Sequence, residues 1–576
     1  MPSVSEPAFQ TSLWSSAPSR SGAVEHAVRT LSTAPDADRG AVHTRPEVAA
    51  FVLDVAGYVA SRPLHRLRLL EPSFGTGVFL REAARRLLQA WTAAGRAGGA
   101  LALHDAIRGV EVHRASLDRV RADLLELLVA HGVPSRGAHD VLDAWLVCDD
   151  FLLRPFEHGF NTVVGNPPYV RIESIPSALI ERYRKDYASV YDRADLYVPF
   201  IERGLQLLRE GGRLSFICAD RWMKNRYGGP LREIVSRGYH LRNVVRLHGA
   251  DAFESEVDAY PSVFTLEQSS PEPRATRVVE PPALGSDTLA VLAQAIEAAE
   301  PADGVQVLEG VVSGSEPWLL SDPGVLRVLR ALEADHPTLA DAGCRVGIGV
   351  ATGADRVFIA PADELPIEPD RVLPLAMARD ANPDGTLDWS GLALANPFDD
   401  QGSLVDLDAY PRLRAYFEAH GEVLRGRHVA RKSPQRWYRT IDKVTASLVS
   451  RPKLLVPDIK GSAVVALDEG GLYPHHNLYV VTSDEWDIHA LQAVLRSRIA
   501  EFQVATYAVR MRGGYLRFQA QYLRRIRLPR WDQVPDSLRT RLAQAGQGPR
   551  EACDAAAVEL YDLSEADWTV VRSETR

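Results

Sequence analysis

The tetrapeptide Asn166-Pro167-Pro168-Tyr169 directly follows the apolar run Phe160-Asn161-Thr162-Val163-Val164-Gly165. Its residue types suit one demanding task. The exocyclic amine of a nucleobase is a weak nucleophile because its lone pair is delocalised into the ring, and a catalyst must hold both of its hydrogens to draw the nitrogen toward tetrahedral geometry. The side-chain oxygen of Asn166 and the backbone carbonyl of Pro167 are two such acceptors, and proline fixes φ so that the carbonyl stands in place beforehand. Tyr169 offers an aromatic face for a planar base. The same composition also makes an ordinary proline-rich turn. What favours chemistry is its place at the end of a buried strand and downstream of a glycine loop.

That loop is Glu71-Pro72-Ser73-Phe74-Gly75-Thr76-Gly77, fed by Leu67-Arg68-Leu69-Leu70 and followed by Leu80, Ala83, Ala84, Leu87, Leu88 and Trp91 at helical spacing, with Arg81, Glu82, Arg85 and Arg86 on the opposite face. A strand, a tight glycine turn and a helix set backbone N–H groups and the positive helix end at the carboxyl edge of a sheet, where a cofactor with carboxylate or anionic groups can sit. An ordinary strand-to-helix turn has the same appearance. The next β-like run, Ala106-Ile107-Arg108-Gly109-Val110-Glu111, ends in a carboxylate that can accept from both hydroxyls of a ribose, or can be a solvated strand-end acid. In Val147-Cys148-Asp149-Asp150-Phe151-Leu152, Asp150 is the better candidate to accept an adenine amino group, Asp149 is the alternative, and Phe151 packs on the ring.

Apolar runs alternating with helical segments from 41 to 270 predict a parallel sheet covered by helices on both faces, a catalytic domain of α/β class. Residues 1–40, rich in Ser, Ala and Pro, read as a flexible arm; 271–290 reads as a linker, 291–535 as a second, α+β recognition domain and 536–576 as a C-terminal helical extension. With 46% apolar and 24% charged residues over 576 positions, the composition is globular and allows several cores. Cys148, Cys218, Cys344 and Cys553 lie far apart without CxxC or histidine partners, so neither a disulfide framework nor a zinc site is expected. No secretory signal or run of about 18 apolar residues is present, and the expected location is cytoplasmic, with no membrane association.

A net charge of −9 argues against a protein that coats nucleic acid by bulk attraction. Locally the balance reverses. Arg431, Lys432, Arg436, Arg439 and Lys443, with Trp437 and Tyr438 interleaved, have the composition that neutralises phosphates. A second cluster holds Arg510, Arg512, Arg517, Arg524, Arg525 and Arg527 beside Tyr507, Tyr515 and Phe518. Either cluster can also be a solvated basic face. Gly347, Gly349 and Gly353 lack phosphate-loop spacing, and Asp458 with Lys460 lacks the acid-x-Lys partner of a nuclease centre, so no cleavage is predicted. His475-His476 follows Pro474 in a turn with no third ligand nearby in sequence, and no metal is expected.

These motifs together resemble the gamma-class N6-adenine DNA methyltransferases, the TaqI-like group of modification enzymes, over most of the chain. Thr44-Arg45-Pro46-Glu47-Val48 is similar to the motif that closes over S-adenosylmethionine, and its N-terminal position marks the gamma order. Glu71 through Gly77 is similar to the cofactor loop, Glu111 to the ribose-binding acid, Asp150-Phe151-Leu152 to the element contacting the cofactor's adenine, and Asn166-Pro167-Pro168-Tyr169 to the catalytic loop. Asp195-Leu196-Tyr197-Val198-Pro199-Phe200 and the strand at Gly211-Gly212-Arg213-Leu214-Ser215-Phe216-Ile217 continue the similarity. Phe253, in an acidic loop, is the nearest match to an aromatic that supports an extruded base, and is equally readable as core. Gly347 to Gly353 and Arg451-Pro452-Lys453-Leu454-Leu455-Val456 resemble the C-terminal specificity domain.

The resemblance implies a Rossmann-like class I methyltransferase sheet with a C-terminal α+β DNA-recognition domain, S-adenosylmethionine as cofactor and no catalytic metal. It implies methylation of N6 on a flipped adenine in duplex DNA, in a restriction-modification or phage-defence system. A cognate restriction endonuclease is then a candidate partner and the chain is expected to be a monomer. Cytosine N4 methylation, methylation of RNA or of protein glutamine, and an inactive DNA-binding subunit of a larger defence complex are the alternatives.

Overall fold

The computed structural model describes residues 21–35, 39–40, 42–247, 252–254, 261–269, 274–281, 284–298, 304–460, 463–508 and 516–575. The chain divides into two compact units, Met1–Leu320 and Ser321–Arg576.

The first unit is built on strands β1 (Leu69–Glu71), β2 (Ile107–Glu111), β3 (Leu146–Cys148), β4 (Phe160–Gly165), β5 (Leu208–Ala219), β6 (Tyr239–Arg246), β7 (Pro261–Gln268), β8 (Thr276–Val279) and β9 (Val305–Leu308). They form one sheet in the order β3-β2-β1-β4-β5-β7-β6-β8-β9. The pairs around β1 are parallel, whereas β7 runs antiparallel to both β5 and β6. The chain winds outward from β1 to β3 and then returns to place β4 on the other side of β1, so the carboxyl ends of β1 and β4 flank a topological switch point where a crevice opens. Both faces of the sheet are covered, which is why β4 reads as a nearly continuous apolar run rather than an alternating one.

Helices α1 (Gly22–Leu31), α2 (Pro46–Val55), α3 (Val78–Ala93), α4 (Arg114–Ala130), α5 (Ser135–Trp145), α6 (Ser177–Asp186), α7 (Tyr197–Gln206), α8 (Gly229–Gly238) and α9 (Ser286–Glu297) supply the cover. One core gathers side chains of α2, α3, α4, α5 and α9, and a second gathers those of α1, α6, α7 and α8. In α3 the predicted apolar face, Leu80, Ala83, Ala84, Leu87, Leu88 and Trp91, is buried, each leucine contributing about 1.5–3 kcal/mol. Arg86, expected on the solvent face, is buried instead. Its guanidinium pairs with Asp54 at 2.6 Å and Glu82 at 2.7 Å and donates to the carbonyls of Tyr58 and Ala50, fixing α3 to α2.

Two boundaries differ from the sequence expectation. Residues 1–20 lie outside the described residues, but from Gly22 the expected flexible arm is helix α1, because Val24 and Ala27 bury an apolar stripe in the second core. The expected linker 271–290 contains β8, which pairs with β6 in the main sheet, and the start of α9, whose Leu289, Ala293 and Ile296 join the first core. The first unit runs on to Leu320, past the expected linker.

The second unit contains a sheet of Cys344–Ile348, Leu478–Ser483, Lys453–Pro457 and Ala466–Asp468, antiparallel throughout. A second sheet orders Ile359–Pro361, Leu392–Ala395, Val372–Ala376 and Tyr473–Pro474, with the last pair parallel. Helix Ile488–Arg496 packs against Asp536–Gly546 and Arg550–Leu560, so the C-terminal helices are built into this α+β unit.

Candidate active site

A cavity opens at the carboxyl ends of β1, β2 and β4, with Glu71, Gly75, Glu111, Asp150, Phe151 and Asn166 in its walls; Thr44, Pro72 and Ser73 line it too. The glycine loop that forms one wall turns into α3 through Gly77, at φ +78°, and a Cβ there would lie 2.7 Å from the Val120 side chain. Only glycine meets both conditions. The Gly75 amide donates to Glu111 Oε2 at 2.8 Å and the His113 amide to Oε1 at 2.9 Å, with the Arg39 guanidinium 3.6 Å away. Glu111 is thereby held rigidly at the tip of β2.

Glu71 is different. Its carboxylate is buried and neither oxygen has a side-chain hydrogen-bond partner. Burial, and then the nearby charge of Glu111, push its carboxyl well above the usual range against the pull of Arg81 and of the Leu80 amide. A carboxylate left in this state calls for a cationic donor inside the cavity, and the ammonium of a methionine-type cofactor is such a group. The walls therefore fit S-adenosylmethionine.

Asp150 lines the cavity but also caps the turn after β3: Oδ1 accepts from the amides of Leu152 at 2.8 Å and Leu153 at 3.1 Å, and Oδ2 from the Tyr183 hydroxyl at 2.5 Å. Asp149, the alternative, accepts from the Asp150 amide at 2.8 Å and pairs with Arg154 at 3.1 Å. Phe151 lies in the core with its ring 5.1 Å from that of Phe200 and reaches the cavity wall.

The loop after β4 carries the reactive geometry. Asn166 Nδ2 donates to the Val42 carbonyl at 2.9 Å and to Thr44 Oγ1 at 3.1 Å. These two acceptors assign the amide orientation, and Asn166 Oδ1 is left buried without a partner. Pro167 is buried and Pro168 lines the cavity. The Tyr169 amide donates to the Gly40 carbonyl at 3.1 Å, and Gly40, at φ +61°, approaches so closely that a Cβ would lie 2.6 Å from the Tyr169 carbonyl carbon. The Tyr169 ring sits edge-on to Phe253 and beside Tyr197, each at 6.2 Å between centroids, and burial drives its hydroxyl pKa well up.

Phe253 reaches this place through a short antiparallel pairing with the strap that precedes α2. The Arg45 amide donates to the Ala252 carbonyl at 3.2 Å, the Glu254 amide to the His43 carbonyl at 3.0 Å, and Thr44 bridges Phe253. Arg39, Gly40 and Val42 are parts of the site that sequence reasoning missed. Their one signal is a glycine four residues ahead of Thr44, inside a segment that reads as an arm.

In the second unit, Arg431, Lys432, Arg436 and Lys443 are exposed, and among the described residues none of them forms an ion pair. Arg439 is half-buried and donates to the carbonyls of Thr440 and Ile441, each at 3.1 Å. Arg427 anchors the stretch by donating to the carbonyls of Thr352 and Trp437, both at 2.7 Å. Burial, and then Arg439, bring its pKa down to about 10. Arg510 and Arg512 lie outside the described residues. The rest of that cluster is committed to structure: Arg517 pairs with Asp458, Arg524 donates to the Val346 carbonyl at 2.9 Å, and Arg525 lies over the Tyr507 ring at 4.6 Å.

Residues 143–253 match the Eco57I restriction-modification methylase family, and residues 417–528 the TaqI-like C-terminal specificity domain. The chain is 50% identical over 534 residues to the Type II methyltransferase M.PaeR7I of Pseudomonas aeruginosa, spanning 92% of each. It is 48% identical over 544 residues to the Type II methyltransferase M.XhoI of Xanthomonas vasicola, spanning 93% of this chain and 99% of that one. The solved structure of the Type IIL restriction-modification enzyme MmeI in complex with DNA shares the fold at 10% identity and a TM-score of 0.57, across 92% of this chain and 77% of that one.

Proposed function

The chain belongs to the Type II methyltransferases of restriction-modification systems, and on that premise we propose that it methylates the N6 amine of an adenine turned out of duplex DNA. It is a site-specific DNA methyltransferase whose methyl donor is S-adenosylmethionine. When bound, that cofactor supplies an electrophilic methyl group on a sulfonium. The observation that supports the adenine reading is Asn166, whose amide nitrogen is anchored twice while its buried oxygen has no partner.

Within this reading Asn166 Oδ1 accepts one hydrogen of the target amine and the Pro167 carbonyl the other, localising the lone pair on nitrogen. Both acceptors are in place before the base arrives, so no reorganisation is needed at the moment of reaction. Pro168 shapes the loop, Tyr169 stacks on the base and Phe253 supports it from the side. Turning a base out of the duplex costs roughly a few kcal/mol, and stacking on an aromatic ring returns about 1–3 kcal/mol.

For the cofactor, Glu71 receives the ammonium group, and Glu111 the ribose hydroxyls. Asp150 and Phe151 form the adenine end of the site. Pro72, Ser73, Gly75 and Gly77 give the close backbone approach, and Thr44 closes the cavity while holding the Asn166 amide. In the second unit Arg431, Lys432, Arg436, Arg439 and Lys443 meet phosphates, together with Arg510 and Arg512 from outside the described residues. The protein works as a monomeric modification enzyme beside a cognate endonuclease.

The test is sequencing that detects modified bases in DNA from a methylation-free host expressing this chain, with Asn166→Ala as control. N6-methyladenine within one short motif, absent from the control, is the expected result. N4-methylcytosine in such a motif would move the target base, and unmodified DNA despite cofactor-binding protein would overturn the reading in favour of an RNA or protein substrate.

A further inference from the structure

In the second unit the loop that follows Cys344–Ile348 meets the turn that follows Tyr473–Pro474, and there Asp355, His475 and His476 converge, with one ligand-type atom of each lying within 4.8 Å of the others. We propose that these three side chains bind a divalent transition-metal ion of the zinc class. His475 Nε2 lies 3.0 Å from His476 Nδ1 and 3.3 Å from Asp355 Oδ2. A ring nitrogen carries one hydrogen or one lone pair, never both. Without a cation, His475 Nε2 either divides one hydrogen between two acceptors, or accepts from His476 and turns its lone pair on a carboxylate. A cation resolves this conflict, because all three atoms then direct lone pairs at it.

The two spacings from His475 Nε2 fit such an ion. Ligands at about 2.0–2.1 Å from a metal stand about 3.0 Å apart at a right angle and about 3.4 Å apart at a tetrahedral angle. The donor set, two imidazoles and one carboxylate, suits zinc, nickel or cobalt better than magnesium or calcium. The carboxylate is also steered from behind: the Thr352 hydroxyl donates to Asp355 Oδ1 and accepts from the Ala354 amide at 3.0 Å, the kind of outer support that orients metal ligands.

The histidines are preset by backbone. The His475 amide donates to the Ala376 carbonyl and the His476 amide to the Val350 carbonyl, both at 3.0 Å. His475 is buried, and its Nδ1 has no partner, so this imidazole has no polar role other than the cluster. Asp355 and His476 border an open hollow with Thr352, Gly353 and Ile441, which leaves room for water at the remaining coordination positions. The amides of Ile441 and Asp442 both donate to the Ala351 carbonyl, at 2.9 and 3.1 Å, so the bound ion would brace the loop on which the end of the basic stretch is seated.

The test uses untagged full-length protein stripped with a chelator and titrated with zinc chloride by calorimetry, with thermal melting in parallel. The expected result is one zinc per chain and a raised melting temperature. Asp355→Asn and His476→Ala, both at exposed positions, should each weaken zinc binding by about tenfold or more. Cobalt loading gives a second readout, a visible absorption band present in the parent and absent from the double variant. No stoichiometric uptake, or uptake and band unchanged in the double variant, would overturn the site.

Discussion

The two units leave different polar groups uncompensated. In the first, several arginines are paired with acids along the helices, as in Arg81 with Asp123 at 3.1 Å, Arg85 with Glu82 at 2.6 Å and Arg121 with Asp143 at 2.6 Å, while Arg119 and Arg136 stand exposed, outside any ion pair among the described residues. The groups left open around its cavity are buried acceptors, both oxygens of Glu71 and Oδ1 of Asn166. In the second unit, Arg431, Lys432, Arg436 and Lys443 are donors left open on the surface. Water solvates an exposed cation at no cost, whereas a buried acceptor without a partner costs about 1–3 kcal/mol. The first unit therefore holds a few positions of fixed geometry for particular hydrogens. The second holds a field of charge whose partner needs only the opposite sign.

The sharpest way to break this contrast is to remove the buried acceptor. Asn166→Ala should lower kcat by about a hundredfold to a thousandfold, the usual cost of losing one preorganised group at a reacting centre, with cofactor affinity kept. Near-normal turnover in a single-turnover methyl-transfer assay would take Asn166 out of the chemistry. Glu71→Gln comes next. Hydrogen bonds to charged groups are worth about 1.5–3 kcal/mol, so cofactor binding measured by calorimetry should weaken by about tenfold to a hundredfold.

The pH dependence of that binding has a definite sign. The carboxyl of free Glu71 is held well above the ordinary carboxylate range by burial and by Glu111, and a bound ammonium favours its ionised form. The complex then carries fewer protons than the free protein, so affinity rises with pH up to the raised value of Glu71 and levels off above it. Titrations in two buffers of different ionisation enthalpy should show proton release below that value in the parent and none in Glu71→Gln.

The same contrast governs how much was legible in the sequence. Glu71, Glu111 and Asn166 stand at strand ends, and strand, glycine turn and helix follow one another locally, so a few adjacent residues specify each wall of the cavity. Phe253 lies over 200 positions from Thr44, and its place beside Tyr169 depends on a short backbone pairing that leaves no periodicity. Arg39 and Gly40 were hidden because α1 buries so little, only Val24 and Ala27, that its sequence reads like an arm. In the second unit composition pointed to charge but could not separate Arg436, open to solvent, from Arg517, already paired with Asp458. The Asp355 ligand to His475 and His476 lies 120 positions away, beyond any local spacing rule.

Phe253 can be placed on one side of the contrast or the other. If it supports an extruded base, Phe253→Ala should raise KM for DNA by an amount corresponding to about 1–3 kcal/mol while cofactor affinity stays constant. A large fall in melting temperature with KM unchanged would return it to the core, where its burial also allows it to belong.

The smallest expected effect is the one that tests the charged surface most directly. Reversing Arg431 and Arg436 to glutamate should weaken binding to every DNA sequence alike and flatten the plot of log affinity against log salt by about one unit for each phosphate no longer neutralised. Arg517→Glu is the matched control from the same unit. Its guanidinium is already satisfied by Asp458 and holds that segment in place, so its removal should cost stability and leave the salt slope unchanged. A slope that moved with Arg517 and not with Arg431 and Arg436 would reverse the assignment, placing phosphate binding on the paired cluster and leaving the open cations as solvated surface.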